Sequence, residues 1–316
     1  MTTLDDSAVA HLQAVVREPD LSGTRYELVG VAGSGGMGTV YIVHDTQLDR
    51  RVALKMLDVL DVEMEARLRR EAVILARLEH PGIVPVHDVG RLCDGRAYYT
   101  MKLVEGERLD RYAERGPPVQ ERLRVFLRIA DAVAFAHSRA VLHRDLKPQN
   151  VMIGSFGQVL VLDWGLAKVL PDGGSRTAAV ELASRPARRG TGEGAVLGTP
   201  GFMAPEQERG GSSAADARTD VYSLGALLAW IAGAAAPAAI RAIARKAMAA
   251  EPADRYGSAA ELARDVERFL DGSAVAAYPE GALRRAARLA RRHRVAIGIV
   301  LAYLIGRALI LLLAHR

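Results

Sequence analysis

The stretch His143-Arg144-Asp145-Leu146-Lys147-Pro148-Gln149-Asn150 decides how the fold of this chain is predicted. It brings a carboxylate, a cation and an amide into one short segment, at the spacing that phosphoryl transfer requires. Asp145 can accept a proton from a hydroxyl group, Lys147 can stabilise the transferred phosphate, and Asn150 can bind a metal ion. Five fixed residue types should match by chance in about one in ten thousand chains of this length, so the stretch favours a catalytic loop.

A glycine-rich segment lies upstream, with the sequence Gly33-Ser34-Gly35-Gly36-Met37-Gly38-Thr39-Val40. Glycines of a dinucleotide-binding fold open a helix, whereas the flanking residues 26–31 and 40–43 alternate and contain β-branched side chains. The segment is therefore predicted to be a β-hairpin. Because glycine has no Cβ, such a hairpin can lie directly over a triphosphate.

A lysine and a glutamate form the next pair of candidates. Lys55 ends the apolar stretch 52–55, and Glu71 falls within a helical stripe of apolar residues in the stretch 62–78. A carboxylate on the buried face of a helix is costly unless it is paired. We therefore expect Lys55 and Glu71 to form an ion pair that holds the phosphates of a nucleotide.

A second carboxylate follows the catalytic stretch. The apolar residues 159–162 indicate a short buried strand, and Asp163-Trp164-Gly165 comes directly after it. Carboxylate and amide oxygens are the ligands that Mg²⁺ prefers. Asp163 and Asn150 are therefore the predicted metal ligands.

Together these motifs resemble those of the bacterial eukaryotic-like (Hanks-type) Ser/Thr protein kinases. The resemblance extends over residues 25–272 and also includes the segment 198–206, which ends in Ala204-Pro205-Glu206. It implies an α+β, two-lobed protein kinase fold with a β-rich N-lobe and a helical C-lobe, and with ATP and Mg²⁺ (or Mn²⁺) between the lobes. The implied protein substrates are phosphorylated on Ser or Thr.

The resemblance also assigns roles to individual residues. Asp145 would be the catalytic base, and Lys147 and Asn150 would complete the catalytic loop. Asp220 would be a buried aspartate that holds the catalytic loop in place, and Arg255 would pair with Glu206. The nucleotide-binding residues would be Val31, Gly33, Ser34, Gly35, Gly36, Met37, Gly38, Val40, Ala53, Lys55, Glu71, Met101 and Leu103, with the adenine pairing to the hinge at residues 102–104.

Three features depart from the pattern of this family, and one of them is the long segment between Asp163 and Glu206, which is rich in Gly, Arg, Ser and Thr. Trp164 stands where phenylalanine is commoner, with its flat apolar character retained. The helix predicted at 219–233 is followed after four residues by the final helical pair, 238–249 and 258–270. Relatives carry several tens of residues here, including a helix that docks protein substrates, so a shortened C-lobe is predicted.

Composition agrees with a single two-lobed domain and short flanking segments. The chain has 316 residues, half of them hydrophobic, and a single cysteine, which excludes internal disulfides and metal-thiolate clusters. The net charge of +5 is local, because six arginines lie between residues 284 and 294. No aromatic residues alternate with these arginines, and no nucleic-acid-binding fold accompanies them, so nucleic acid is not an expected partner.

The C-terminal region after these arginines is almost wholly apolar. Residues 295–314 would span about 30 Å as a helix, which is the hydrocarbon thickness of a bilayer. The preceding arginines would keep the rest of the chain in the cytoplasm. We therefore predict an N-terminal extension (1–24), a kinase domain (25–272), a basic juxtamembrane segment (273–294) and a single transmembrane helix (295–314) in the cell membrane.

Membrane lipid and a second copy of the chain are predicted partners of this C-terminal helix. Gly298, Ala302 and Gly306 share one helical face, and small residues at this spacing allow two membrane helices to approach closely. A homodimer through this face is one interpretation, and the general abundance of small residues in membrane helices is the other.

Two functions of different classes remain open from the sequence. The first is an active Ser/Thr kinase at the membrane, which the complete catalytic set favours. The second is a kinase-like nucleotide-binding scaffold with little or no catalytic activity, which the shortened C-lobe favours.

Overall fold

The N-lobe is a five-stranded antiparallel sheet with one helix packed against it, in a computed structural model of the chain. Residues 18–35, 38–58, 60–164, 167–169, 201–209, 216–279, 298–299 and 303–307 are described. The strands are β1 (Tyr26–Gly35), β2 (Gly38–Asp45), β3 (Arg50–Met56), β4 (Val86–Arg91) and β5 (Ala97–Lys102), in the spatial order β1-β2-β3-β5-β4.

The glycine-rich segment forms the predicted hairpin. Strands β1 and β2 pair in an antiparallel register from Tyr26 opposite Asp45 to Gly35 opposite Gly38. Gly38 has a φ of 123°, and a Cβ there would lie 2.1 Å from the carbonyl oxygen of Met56. A larger residue at position 38 would therefore push the hairpin away from β3. Gly36 and Met37, which were predicted to bind the nucleotide, lie outside the described residues.

Helix α1 (Val62–Arg77) is the single long helix of the N-lobe among the described residues. The side chain of Asp61 caps it by accepting a hydrogen bond from the Met64 backbone N–H at 2.8 Å. Its buried positions are Leu68, Glu71, Ala72, Ile74 and Leu75. This is the predicted apolar stripe, and it includes the predicted buried glutamate.

The segment before the sheet is partly built into the N-lobe. Leu21, in the predicted N-terminal extension, is only 9% exposed and belongs to an apolar cluster with β1, β2 and β3. The Glu18 carbonyl oxygen accepts a hydrogen bond from the Arg96 guanidinium at 3.3 Å, next to the turn between β4 and β5. Residues 18–24 therefore cover the outer face of the sheet, and residues 1–17 lie outside the described part of the chain.

The C-lobe is helical and carries short strand pairs at its upper surface. Its helices are α2 (Leu109–Glu114), α3 (Val119–Ser138), α4 (Pro205–Glu208), α5 (Ala217–Ala232), α6 (Ala238–Ala247) and α7 (Ala259–Leu270). Its strands are β6 (Gly106–Arg108), β7 (Val141–Leu142), β8 (Val151–Gly154), β9 (Val159–Val161) and β10 (Lys168–Val169), paired as β6-β8-β9 and β7-β10.

Helices α3 and α5 form the centre of the C-lobe core. Leu123, Phe126, Ile129 and Val133 recur on one face of α3, and each is fully buried. Helix α5 is buried along most of its length because α3, α6 and α7 all contact it. The predicted two-lobed kinase fold is confirmed, with the catalytic stretch between β7 and β8.

The predicted C-terminal membrane helix is the part of the fold prediction that the structure does not support. Most of residues 295–314 lie outside the described part, which includes only 298–299 and 303–307 there. Among the described residues, no helix is both long enough and apolar enough to cross a bilayer.

Candidate active site

The catalytic stretch forms a loop in which three of the predicted side chains meet. The Lys147 ammonium group donates to Asp145 Oδ2 at 2.7 Å. The Asn150 amide nitrogen donates to the Asp145 backbone carbonyl at 2.8 Å and to Asp145 Oδ2 at 3.2 Å. Two donors therefore fix the orientation of the Asp145 carboxylate.

A buried carboxylate on α5 holds this loop in place. Asp220 is fully buried, and its two oxygens accept hydrogen bonds at 2.8 Å from the backbone N–H groups of His143 and Arg144. It also contacts the His137 ring nitrogen Nε2 at 2.8 Å. Arg144 has a φ of 71°, a conformation that costs about 1–2 kcal/mol for a residue with a Cβ. The hydrogen bonds of Asp220 stabilise this unfavourable backbone turn next to Asp145.

The environment of Asp220 keeps it ionised. Burial alone would raise its pKa, but the hydrogen bond and charge of His137, together with the backbone N–H of Arg144, lower the pKa below the ordinary value of an aspartate. The charged form is the one that accepts all three hydrogen bonds. Its role as an anchor of the loop, which the sequence resemblance implied, agrees with this geometry.

His143 links the catalytic loop to the strand that carries Asp163. Its Nδ1 accepts a hydrogen bond from the Asp145 backbone N–H at 3.3 Å, so Nε2 is the nitrogen that donates to the Leu162 carbonyl at 3.0 Å. The ring packs on Trp164 with a centroid distance of 4.6 Å. Trp164 is fully buried, so it fills the apolar position at which phenylalanine is commoner.

The predicted ion pair between Lys55 and Glu71 is present. Lys55 Nζ lies 2.8 Å from both carboxylate oxygens of Glu71, and Asp163 Oδ1 lies 3.5 Å from the same nitrogen. Lys55 is 9% exposed and Glu71 is 2% exposed. The structure therefore brings three predicted site residues together from β3, from α1 and from the segment after β9.

Opposing charges determine the protonation of Lys55. Burial would lower its pKa, but the carboxylates of Glu71 and Asp163 raise it above the ordinary value of a lysine. The side chain therefore carries a positive charge at neutral pH, as required for binding phosphates.

Tyr99 was not predicted as part of this site. Its hydroxyl group donates to Glu71 Oε1 at 3.0 Å, and the side chain is only 1% exposed. Burial and the Glu71 charge hold the Tyr99 pKa well above its ordinary value, so the hydroxyl group remains a donor. The sequence contains one signal for this position. Tyr99 is two residues from Met101, a predicted nucleotide-binding residue, and therefore lies on the same face of β5.

Several of the predicted nucleotide-binding residues lie on the same face of the sheet. Ala53 pairs directly with Met101 across β3 and β5, and Val40 lies opposite Lys55 across β2 and β3. Ala53 and Lys55 are two positions apart and therefore share one face of β3. Val31 is 63% exposed at the edge of this face, and Leu103 follows β5 in the connection to the C-lobe.

The hairpin leaves open space beside Gly33. A Cβ built on Gly33 would meet no atom within 4 Å, so packing within the described chain does not require glycine there. Glycine at this position would allow a ligand to approach the backbone closely. Ser34 and Gly35 continue the same strand toward the tip.

The two predicted metal ligands are held near each other by the backbone. The Leu162 N–H donates to the Asn150 carbonyl at 2.8 Å, which connects the end of β9 to the end of the catalytic loop. The Asn150 amide nitrogen is committed to Asp145, so its side-chain oxygen is the atom left to bind a cation. Asp163 has a φ of 58° and a carboxylate that is 46% exposed. An amide oxygen and a carboxylate fit Mg²⁺.

A buried ion pair supports the segment at the entrance to the site. Arg255 contacts both oxygens of Glu206, at 2.7 and 2.8 Å, and donates to the carbonyls of Ala249 and Arg218. The next residue, Gln207, donates from its amide to the carbonyl of Arg144 at 3.0 Å. Gln207 therefore joins the end of this segment to the catalytic loop, a contact that no motif predicted.

Comparison with known proteins places the chain in a family. The family model described as "Protein kinase domain" matches residues 26–266. The chain is 37% identical over 301 residues to the serine/threonine-protein kinase PknD of Chlamydia trachomatis serovar D, and 32% identical over 297 residues to PknD of Protochlamydia amoebophila. The chain therefore belongs to the protein kinase family, and its relatives confirm the resemblance to the bacterial Ser/Thr branch.

These relatives are much longer than this chain. The alignments cover 78% of this chain in both cases, but only 32% of the Chlamydia protein and 30% of the Protochlamydia protein. The chain thus spans about a third of the length of the curated relatives that it matches.

Proposed function

We propose that this chain is an ATP-dependent protein kinase that transfers the γ-phosphate to serine or threonine hydroxyl groups of protein substrates. The observation that carries the proposal is the orientation of Asp145, fixed by Lys147 and Asn150 on a loop that Asp220 anchors. A carboxylate held in this way is suited to accept the proton of a substrate hydroxyl group.

The remaining residues supply positioning and charge. Lys55, held by Glu71, would bind the phosphates of ATP, and Asn150 and Asp163 would bind Mg²⁺. Bound Mg²⁺ would neutralise the charge that develops on the phosphate oxygens. Lys147 lies beside Asp145, where its positive charge can stabilise the transferred phosphate.

The scaffold alternative receives no support from the described site. A scaffold requires nucleotide binding alone, whereas here the groups suited to proton transfer are all present and oriented. These observations favour the kinase over the scaffold.

Mass spectrometry of a phosphorylation reaction tests the proposed activity. The purified chain is incubated with ATP, Mg²⁺ and a mixed protein substrate, and the phosphorylated residues are identified with and without EDTA. We expect Mg²⁺-dependent phosphate on serine and threonine in the wild type and none with Asp163→Ala. Saturable ATP binding without transfer would support the scaffold, and phosphotyrosine alone would contradict the Ser/Thr assignment.

We further propose that residues 295–314 anchor the chain in the cell membrane with the kinase domain in the cytoplasm. The support is the length and apolarity of this segment and the six arginines that precede it. Alkaline extraction of membranes tests this, comparing Leu311→Arg/Leu312→Arg with the exposed control Leu48→Arg in the N-lobe. Release of the double variant alone is expected, and retention of both would contradict anchoring by this segment.

A homodimer through Gly298 and Gly306 is part of the same proposal. Gly298, Ala302 and Gly306 follow one another at intervals of four residues, and small residues at this spacing allow two helices to approach closely. Crosslinking in membranes should give less dimer for Gly298→Ile/Gly306→Ile than for the wild type, and an unchanged yield would contradict this face.

A further inference from the structure

An open groove lies between the end of α5 and helix α6, beside the short connection 233–237. It has a volume of about 690 Å³. The two helices are in close contact further back, where a Cβ on Gly225 would lie 2.5 Å from the Ala247 side chain. Only five residues join α5 to α6. No other helix or strand of the described residues covers the groove.

The lining of the groove is mostly apolar and includes the exposed small residues Ala229 and Ala234. Trp230 and Met248 provide larger apolar surface, and Trp230 is 38% exposed although it is one of only two tryptophans in the chain. Small side chains allow the backbone of another element to approach closely, and an accessible tryptophan is typical of the centre of a binding surface. The shape and lining therefore suit an amphipathic helix laid into the groove.

The charged side chains that line the groove are positive. Among the described residues that line it, the charged ones are Arg241 and Arg245, and neither makes an ion pair with a described carboxylate. Arg241 donates one N–H to the Ala236 carbonyl, which leaves its other donors available. The two arginines are four residues apart on α6, so they lie on one face, about 6 Å apart along the helix axis.

We propose that this groove binds a helical segment of a protein partner, with apolar side chains against Trp230 and carboxylates one helical turn apart facing Arg241 and Arg245. Charge complementarity selects this occupant, because arginines recognise carboxylates through paired hydrogen bonds. The basic segment 284–294 of the chain itself is excluded as an occupant by its like charge. The inference is independent of the proposed catalysis, since the groove shares no residue with the active site.

Binding of a designed helical probe to the full chain tests the proposal without ATP. The probe is a hydrocarbon-stapled peptide of about four turns, with leucines on one face and two glutamates four residues apart beside them. A matched peptide carries lysines in place of the glutamates. Fluorescence anisotropy should give an affinity for the glutamate peptide at least about tenfold higher than for the lysine peptide, which corresponds to about 1.4 kcal/mol.

Charge reversal on the protein provides the decisive variants. Arg241→Glu/Arg245→Glu should reverse the preference, so that the lysine peptide binds more tightly, and Trp230→Ala should weaken both peptides. Arg264→Glu, an exposed change on α7, is the control that should alter neither. Circular dichroism and Tm verify folding for every variant.

Three results would overturn the proposal. The first is equal binding of the two peptides to the wild type, and the second is an unchanged preference after charge reversal. The third is concentration-dependent self-association that Trp230→Ala abolishes, because the groove would then be occupied by a second copy of the chain.

Discussion

Replacing Asp220 by asparagine should disrupt the catalytic loop with almost no change in volume. The carboxylate accepts hydrogen bonds from the backbone of His143 and Arg144 and contacts the ring of His137. An asparagine side chain has one oxygen and one NH₂ group, so at least one of the two backbone N–H groups would face another donor.

The cost can be estimated from these contacts. A buried donor left without an acceptor costs about 1–3 kcal/mol, and a hydrogen bond to a charged group contributes about 1.5–3 kcal/mol. We therefore expect Asp220→Asn to lower the free energy of unfolding by about 3–5 kcal/mol. Phosphoryl transfer should also fall, because the backbone beside Asp145, with the positive φ of Arg144, would lose at least one of the two hydrogen bonds that hold it.

Urea unfolding and a phosphorylation assay are the measurements, with Asp216→Asn as the matched control. Asp216 lies four residues earlier, directly before the same helix, where its exposed side chain caps α5 by accepting a hydrogen bond from the Arg218 N–H. Asparagine caps helices as well as aspartate does, so the control should differ from the wild type by less than about 0.5 kcal/mol. Equal stability and equal activity of the two variants would refute the anchoring role of Asp220.

Three further predictions concern Lys55 in the site, Glu206 next to it and Gly225 between α5 and α6. Lys55→Met should lower the free energy of unfolding by about 3–5 kcal/mol, because the buried Glu71 charge loses its partner, and thermal unfolding measures this loss. The same variant should transfer phosphate more slowly in the kinase assay. The pKa of Glu206 is lowered, because the hydrogen bonds and charge of Arg255 outweigh the effect of burial. The ionised Glu206 therefore contributes to the free energy of unfolding above about pH 4.3, and this contribution is lost as the pH falls further. The stability advantage of the wild type over Glu206→Gln should therefore shrink in acid unfolding experiments, and an advantage independent of pH would contradict the assignment. Gly225→Ala should cost about 1–3 kcal/mol despite the higher helix propensity of alanine, because the new methyl group would overlap α6; a variant as stable as the wild type in urea would contradict this close packing.

Features encoded in short segments could be predicted from the sequence. The spacing of Asp145, Lys147 and Asn150 defines one loop, and the alternation on both sides of the glycines defines one hairpin. Glu71 could be assigned because it interrupts an apolar stripe, and a buried carboxylate requires a partner. In each of these cases the periodicity of a helix or strand determined where the side chain lies.

Contacts between distant elements could not be predicted in this way. His137 and Asp220 are separated by 83 positions and meet only because α3 packs against α5. The Tyr99–Glu71 hydrogen bond depends on the distance between the sheet and α1. The groove beside Trp230 depends on how two helices diverge, and no periodic pattern encodes this angle.

The packing of residues 18–24, the end of the predicted N-terminal extension, against the N-lobe sheet was also not predicted. Residues 18–24 are mostly polar and therefore read as an extension. Leu21 provides the contact with the apolar cluster of the sheet, and Pro19 is also buried. The segment further makes hydrogen bonds, such as that of Glu18 with Arg96. Two buried side chains in a short polar segment are too few to give a periodic signal.

The central claim, that Asp145 acts in phosphoryl transfer rather than in nucleotide binding, is tested most directly by separating the two steps. Asp145→Asn and the exposed control Asp131→Asn on α3 are compared with the wild type for ATP affinity and for the single-turnover rate of transfer to a protein substrate. We expect all three proteins to bind ATP with similar affinity, and the rate of Asp145→Asn alone to fall by about 10²- to 10⁴-fold. A rate for Asp145→Asn equal to that of the control would contradict the claim.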